Sequence, residues 1–111
     1  MMLALLGQDS EEAHCGRAAI ATAARFDPDI VIVDLALPDI SGLEVGRELR
    51  RRRRHRPLYL AALTGWSSAT LRGRTEAAGF DQLVIKPTTK AALVSILHQA
   101  HVGRSAPLAT S

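Results

Sequence analysis

Three side chains with complementary chemistry, Asp34, Thr64 and Lys86, each come at the end of an apolar run in the sequence. A carboxylate can act as a nucleophile towards phosphorus and form an aspartyl phosphate. Phosphoryl transfer otherwise requires mainly positioning and neutralisation of charge, which an ammonium group and a hydroxyl donor can supply. Together the three residue types predict a phosphoacceptor site, provided that the fold brings them to one place.

The three apolar runs, 30–33, 58–63 and 83–85, have the character of buried β-strands, because polar and apolar residues do not alternate in them. Such runs are typical of parallel strands that are covered by helices on both faces. Helix-length segments lie before, between and after the runs. They are predicted at Arg17–Phe26, at Glu44–Arg54, at Ser68–Ala78 and from Thr88 or Thr89 to Gly103.

This alternation predicts an α/β fold with one doubly wound parallel sheet. Loops at the carboxyl ends of parallel strands meet at the same edge of such a sheet, and functional residues collect there. We therefore expect Asp34, Thr64 and Lys86 to converge.

The residues around these positions form longer motifs. They read Asp34-Leu-Ala-Leu-Pro38-Asp-Ile-Ser-Gly42, Ala62-Leu-Thr64-Gly-Trp and Ala78-Gly-Phe-Asp81-Gln-Leu-Val-Ile-Lys86-Pro87. From about Leu3 to Val102 the chain resembles the response-regulator receiver domain of the CheY-like family. The resemblance implies a flavodoxin-like doubly wound parallel sheet, here truncated at its N-terminal end, with the domain at 1–103 and a flexible tail at 104–111.

The resemblance also implies a function. Asp34 would be the phosphoacceptor of a phosphorelay and would receive its phosphoryl group from a histidine kinase or a phosphotransfer protein. Thr64 would be the switch hydroxyl, and Lys86 would pair with the phosphoryl oxygens. Mg²⁺ would be bound by Asp34 and by the backbone carbonyl of Ala36. Such a domain is not an enzyme acting on a separate substrate, and at most it catalyses its own phosphorylation and dephosphorylation.

The N-terminal region departs from the family pattern, in which a first strand ends in two acidic residues. Residues Met1–Gly7 are interpreted as the last turns of a helix, and Gln8–Cys15 fall where the second strand belongs. Asp9, Glu11 and Glu12 are not expected to replace the missing acidic pair, which argues against Mg²⁺ binding. Without a first strand, strand 30–34 would keep an unpaired edge, open to pairing with a second copy in a homodimer.

Composition limits the remaining classes of function. The chain has 111 residues and a net charge of +3, but seven of its fourteen Lys and Arg residues lie between Arg47 and Arg56. This arginine block (the seven arginines from Arg47 to Arg56) predicts a solvated helix face, and an acidic partner is the alternative. One cysteine excludes a disulfide framework. No apolar run approaches the length of a membrane span, so a cytoplasmic location is expected.

Two further hypotheses remain beside the phosphoacceptor. One is a pseudo-receiver that keeps the fold and acts as a protein-interaction module without phosphorylation. The other is a haloacid-dehalogenase-like phosphatase, which is disfavoured because Ala36 stands where that class needs a second aspartate. The few residues after Val102 leave no room for a DNA-binding domain, and Leu83 stands where receivers usually carry an aromatic switch residue.

Overall fold

A five-stranded sheet with strand order β2-β1-β3-β4-β5 forms the centre of the fold. The computed structural model describes residues 1–6, 9–36, 38–53, 57–66, 68–86 and Ile96. The strands are β1 (Met2–Leu6), β2 (Asp9–Ala13), β3 (Ile30–Asp34), β4 (Tyr59–Thr64) and β5 (Gln82–Ile85). The helices are α1 (Gly16–Phe26), α2 (Gly42–Arg52) and α3 (Ala69–Ala77). The predicted closing helix, apart from the buried Ile96, and the predicted tail at 104–111 lie outside the described residues.

The second half of the chain folds as the sequence predicts. β3, β4 and β5 are parallel neighbours; the interiors of β3 and β4 are buried, and β5 at the edge of the sheet is only partly buried. Serine side chains cap the helices between them, because Ser41 accepts from the N–H of Glu44 and Ser68 accepts from the N–H of Leu71. These two predicted helices, and the predicted helix before β3, are confirmed to within two residues at each end.

Apolar side chains pack on both faces of the sheet. The face that carries α1 and α2 buries the larger cluster, which includes Met2, Val33, Val45, Leu60 and Phe80. The opposite face buries a smaller cluster of Ile32, Ala61, Leu63 and Ile96. Strands with apolar residues on both sides require such a two-sided core.

The N-terminal residues correct one prediction. The segment predicted to end a helix contains a strand instead, since Met2–Leu6 form β1 and pair with β3 in the antiparallel direction, Met2 opposite Val33 and Ala4 opposite Val31. The run places Met2 and Ala4 in the core while Leu3 and Leu5 lie partly buried on the opposite face. An apolar pentapeptide can satisfy the backbone groups of the β3 edge only as a strand, so tertiary pairing overrides its local helical preference.

This strand has two consequences. The sheet is mixed, because β1 is antiparallel to both β2 and β3. The edge of β3 is covered by β1, so the predicted homodimer through an unpaired β3 edge loses its template. The predicted receiver-like α/β fold is otherwise confirmed, but the first strand, which the sequence was predicted to lack, is present as β1 and lies between β2 and β3. In the part of the chain that the structure describes, no helix is long and apolar enough to cross a membrane.

Candidate functional site

Asp34, Thr64 and Lys86 meet at the carboxyl edge of the parallel strands, as the sequence predicts. Asp34 ends β3, Thr64 ends β4, and Lys86 directly follows β5. The Lys86 Nζ forms an ion pair with the Asp34 Oδ2. The Lys86 N–H also donates to the Thr64 carbonyl at 2.7 Å, which ties the end of β5 to the end of β4. The parallel register of the three strands therefore creates the cluster.

The Asp34 carboxylate is held by groups from two directions. Its Oδ2 faces Lys86, and its Oδ1 accepts from the N–H of Ala36 at 2.9 Å. Burial raises the pKa of Asp34, but the Lys86 hydrogen bond, the Ala36 N–H and the Lys86 charge together lower it below its ordinary value. The carboxylate is thus ionised at neutral pH, which is the state that a nucleophile needs.

The Thr64 hydroxyl does not contact Asp34. Its Oγ1 donates to the Trp66 carbonyl at 2.8 Å, while the Thr64 side chain itself is buried. The Trp66 side chain is 65% exposed beside it. The predicted site residues are therefore together, but of their three side chains only those of Asp34 and Lys86 are paired with each other.

A close packing contact fixes the loop that follows Asp34. The Gly42 N–H donates to the Leu35 carbonyl at 3.2 Å, which closes the loop at the start of α2. A Cβ at Gly42 would lie 2.5 Å from the Leu35 Cα and 2.6 Å from the Asp34 carbonyl oxygen. Only glycine allows α2 to begin this close to the backbone of Asp34 and Leu35.

The cluster opens into a cleft of about 460 Å³. Its polar wall contains the predicted site residues, and its apolar wall is formed by leucines and Trp66. The lining comprises Asp34, Leu35, Ala36, Leu43, Thr64, Gly65, Trp66, Leu71 and Lys86. A carboxylate and an ammonium group beside apolar walls are suited to a small anionic group carried on a less polar donor.

The described residues do not supply the ligand set that the resemblance implies for Mg²⁺. Mg²⁺ prefers several oxygen ligands in an octahedral arrangement. Among residues 1–6, 9–36, 38–53, 57–66 and 68–86, no three His, Cys, Asp or Glu side chains lie close enough to hold a metal ion. Because β1 runs antiparallel to β3, the first residue of β1, and not its last, reaches this edge. Asp9, Glu11 and Glu12 belong to β2, which lies on the side of β1 that faces away from β3. Of the two ligands that the resemblance implies, Asp34 already forms an ion pair with Lys86.

Sequence reasoning missed a group of polar contacts at the opposite end of the parallel strands from the site. Arg50, in the arginine block, donates to the carbonyls of Gly79 and Leu58 at 2.9 and 2.7 Å and to the Asp81 Oδ2 at 2.8 Å. The same Asp81 oxygen accepts from the Leu60 N–H at 2.8 Å. Arg50 therefore joins α2 to the starts of β4 and β5. The sequence does not distinguish Arg50, whose side chain is half-buried, from Arg51 and Arg52, whose side chains are exposed, so only the helical phase could have indicated it.

The fold and the cluster define a receiver-like α/β domain with an Asp34–Lys86 ion pair at its carboxyl edge, and comparison with known proteins agrees. The family model of the response regulator receiver domain matches residues 2–98. This chain belongs to that family.

Curated relatives are regulators and sensors. The chain is 35% identical over 97 residues to the transcriptional regulatory protein TrcR of Mycobacterium tuberculosis, covering 87% of this chain and 37% of that protein. It is 33% identical over 99 residues to the aerobic respiration control sensor protein ArcB of Escherichia coli, covering 86% of this chain and 12% of ArcB. The chain therefore spans well under half the length of these relatives.

Solved structures show the same fold. The Vibrio cholerae chemotaxis protein CheY4 has a TM-score of 0.75 at 26% identity, over 81% of this chain and 75% of that one. The BeF3-activated receiver domain of RstA from Klebsiella pneumoniae has a TM-score of 0.68, also at 26% identity, over 79% of this chain and 73% of that one. The mixed N-terminal part of the sheet is thus accommodated within a receiver fold.

Proposed function

We propose that this chain accepts a phosphoryl group on Asp34 from a histidine kinase or a phosphotransfer protein and so carries a signal in a phosphorelay. The observation that carries the proposal is the Asp34–Lys86 ion pair at the mouth of an open cleft, with Thr64 on the strand between them. Membership of the receiver family supports it.

The proposed reaction is a direct displacement at phosphorus. One carboxylate oxygen of Asp34 forms a bond to phosphorus while the P–N bond of a phosphohistidine breaks. The bonding electron pair leaves with the imidazole nitrogen, which takes up a proton from solvent. The product is an aspartyl phosphate, and hydrolysis by water returns the carboxylate and inorganic phosphate. Apart from the phosphohistidine donor and water, this chemistry needs no further reactant, and we do not propose that the domain acts as an enzyme on another molecule.

Lys86 is the described residue that neutralises charge in this step. Its ammonium group is already beside the acceptor, so it can pair with a phosphoryl oxygen after a small movement. The Ala36 N–H orients the other carboxylate oxygen. The Thr64 hydroxyl would have to leave the Trp66 carbonyl before it could donate to a phosphoryl oxygen. We derive no step through Mg²⁺, because the described carboxylates do not form its ligand set.

A histidine-containing donor fits the relatives. ArcB and EvgS of Escherichia coli are described as sensor proteins, and TrcR is described as a transcriptional regulatory protein. Segments similar to this chain therefore occur both in sensor proteins and in a transcriptional regulatory protein. That the phosphodonor of this chain is a histidine-containing protein belongs to the proposal.

Intact-mass analysis tests the proposal. The purified chain is incubated with phosphoramidate, with Mg²⁺ or with EDTA, beside Asp34→Asn and beside Asp9→Asn as a matched carboxylate on β2. We expect one phosphoryl group on the wild-type chain and on Asp9→Asn, and none on Asp34→Asn. Labelling of Asp34→Asn equal to that of the wild type would contradict the acceptor assignment.

The second candidate function is a pseudo-receiver that binds a protein partner without being phosphorylated. The specific observation that favours it is the missing carboxylate cluster among the described residues at the site. A pseudo-receiver would be folded and would form no phosphoryl adduct with phosphoramidate, either with Mg²⁺ or with EDTA. This is the opposite of the result expected for a phosphoacceptor in the same experiment.

A further inference from the structure

The direction of the Asp34 carboxylate depends on the loop that follows it. Of its two oxygens, one faces Lys86 and the other accepts from the Ala36 N–H at 2.9 Å. Ala36 lies in the first turn of the loop between β3 and α2. Whatever holds this loop therefore also holds the acceptor.

Asp39 connects the loop to the beginning of α1. Its Oδ1 accepts from the Gly16 N–H at 2.8 Å and also from the N–H of Ile40. The Gly16 N–H is shared with the Pro38 carbonyl at 3.2 Å. Asp39 has a φ of 62°, in the left-handed region that aspartate adopts more readily than most residues. A strained backbone that is held by a specific contact indicates a constraint on the loop.

The start of α1 is built to receive this carboxylate. Cys15, the N-cap residue of α1, makes no side-chain capping bond, and the first turn of α1 has no acidic residue. Asp39 therefore supplies from another loop the acceptor and the negative charge that favour a helix N-terminus. A Cβ at Gly16 would lie 2.7 Å from the Ile40 Cβ and 2.9 Å from the Asp39 Oδ1, so the close approach requires glycine.

The same contacts at the start of α1 affect the pKa of the Asp39 carboxylate. Burial raises the pKa of Asp39, but hydrogen bonds from Ile40, Gly16, Cys15 and Arg17 outweigh burial and lower it below its ordinary value. The carboxylate is therefore ionised while it caps α1.

We propose that Asp39 is a positioning residue for phosphorylation, which holds the loop against α1 and thereby keeps the Ala36 N–H on the Asp34 carboxylate. The inference rests on the proposed function of Asp34. Asp39 touches neither Asp34 nor the cleft that surrounds it, so its effect passes through the loop.

Two substitutions separate positioning from simple stability. Asp39→Gly permits the positive φ and removes the acceptor, whereas Asp39→Asn keeps both an acceptor oxygen and tolerance of the left-handed region. The first measurement is amide hydrogen exchange of Ala36 in the unphosphorylated chain, relative to Val33 in β3. The second is the initial rate of Asp34 labelling by phosphoramidate.

We expect Asp39→Gly to lower the protection of Ala36 but not of Val33, and to slow labelling about tenfold, because a small misplacement of a reacting group is costly. Asp39→Asn should keep most of the Ala36 protection and most of the wild-type labelling rate. If Asp39→Gly leaves Ala36 protection and labelling rate unchanged and only lowers the melting temperature, Asp39 is a helix cap and the proposal is overturned.

The outcomes also distinguish this proposal from that for Asp34. Loss of Ala36 protection without labelling of any variant, wild type included, would overturn the phosphoacceptor function but keep the loop contact. Should Asp39→Gly not fold, exchange in the wild-type chain decides, because the N–H groups of Gly16 and Ala36 must then open together. Independent opening of the two would overturn the proposal.

Discussion

The carboxyl edge of β3–β5 and the N-terminal ribbon (β1 and β2) meet where β1 pairs with β3, but the two regions are organised differently. At the carboxyl edge, parallel strands joined through helices bring three side chains to one place, and the backbone fits so closely that Gly42 admits no side chain. The N-terminal ribbon is antiparallel and brings no carboxylate to that edge. The site is thus built by one half of the sheet.

The difference shows which contacts a receiver fold needs and which its chemistry needs. β1 occupies the position beside β3 and buries Met2 and Ala4, so the fold keeps its central strand in either direction. Strand direction matters to the site, because only a parallel strand would deliver its last residues to Asp34.

The largest expected effect tests whether the N-terminal ribbon belongs to the same core as the parallel strands. Met2 in β1 and Leu60 in β4 are both fully buried in the larger cluster. Met2→Ala and Leu60→Ala should each lower the free energy of unfolding by about 2–5 kcal/mol, because each leaves a cavity. Urea unfolding measures both. A near-zero effect of Met2→Ala beside a full effect of Leu60→Ala would separate the ribbon from the core.

A second substitution sharpens the description of the carboxyl edge. Gly42→Ala should destabilise the chain by about 1–3 kcal/mol, because its methyl group would collide with the backbone of Asp34 and Leu35. Gly73 in α3 is the matched control, since a Cβ there meets nothing within 4 Å, and Gly73→Ala should stabilise the helix by about 0.5–1 kcal/mol. Equal melting temperatures for the two variants would contradict the close fit.

The sequence predicted the parallel half well for a physical reason. Runs such as 30–33 and motifs such as the one from Asp34 to Gly42 combine local preference with a fixed place at the sheet edge. The same reasoning placed Asp34, Thr64 and Lys86 together. It could not show that the Thr64 hydroxyl donates to the Trp66 carbonyl, because a side-chain rotamer depends on spatial neighbours that cannot be read from the sequence.

The N-terminal half was predicted less well because its segments are ambiguous. Met2–Leu6 is short and apolar, so its periodicity does not distinguish a helix end from a strand. The free edge of β3 decides the outcome, and that is a tertiary effect. The second strand was expected within Gln8–Cys15 and is found at Asp9–Ala13, and its acidic residues suit an edge that must not pair with other chains.

The two regions also differ in their ion pairs. Arg50 ties α2 to β4 and β5 through two carbonyls and Asp81, whereas Arg25 of α1 meets Glu11 of β2 at 3.5 Å with both side chains well exposed. Arg50→Ala should cost about 1–3 kcal/mol, because it leaves buried carbonyls unpaired. Arg25→Ala should cost at most about 0.5 kcal/mol. Thermal unfolding of both variants measures the difference, and similar costs would show that Arg50 is only another surface arginine.

The smallest effect concerns Asp34, where the two regions meet, because its N–H donates to the Met1 carbonyl at 2.9 Å and its side chain faces Lys86. The pKa of Asp34 is lower in the folded chain than its ordinary value of 3.8. Its ionised form therefore favours folding above that value, and the contribution is lost as the pH falls through the lower folded pKa.

Lys86→Met should remove most of this pH dependence, since the Lys86 ammonium supplies both the hydrogen bond and the charge that lower the pKa of Asp34. Urea unfolding of the wild-type and Lys86→Met chains between pH 5 and about pH 2.5 measures it. Because Lys86 is 37% exposed and solvent screens the pair, the difference between the two chains should change by less than about 1 kcal/mol across this range. Parallel curves would mean that Lys86 does not neutralise Asp34 in solution, and the ion pair could then not be the feature that prepares the acceptor.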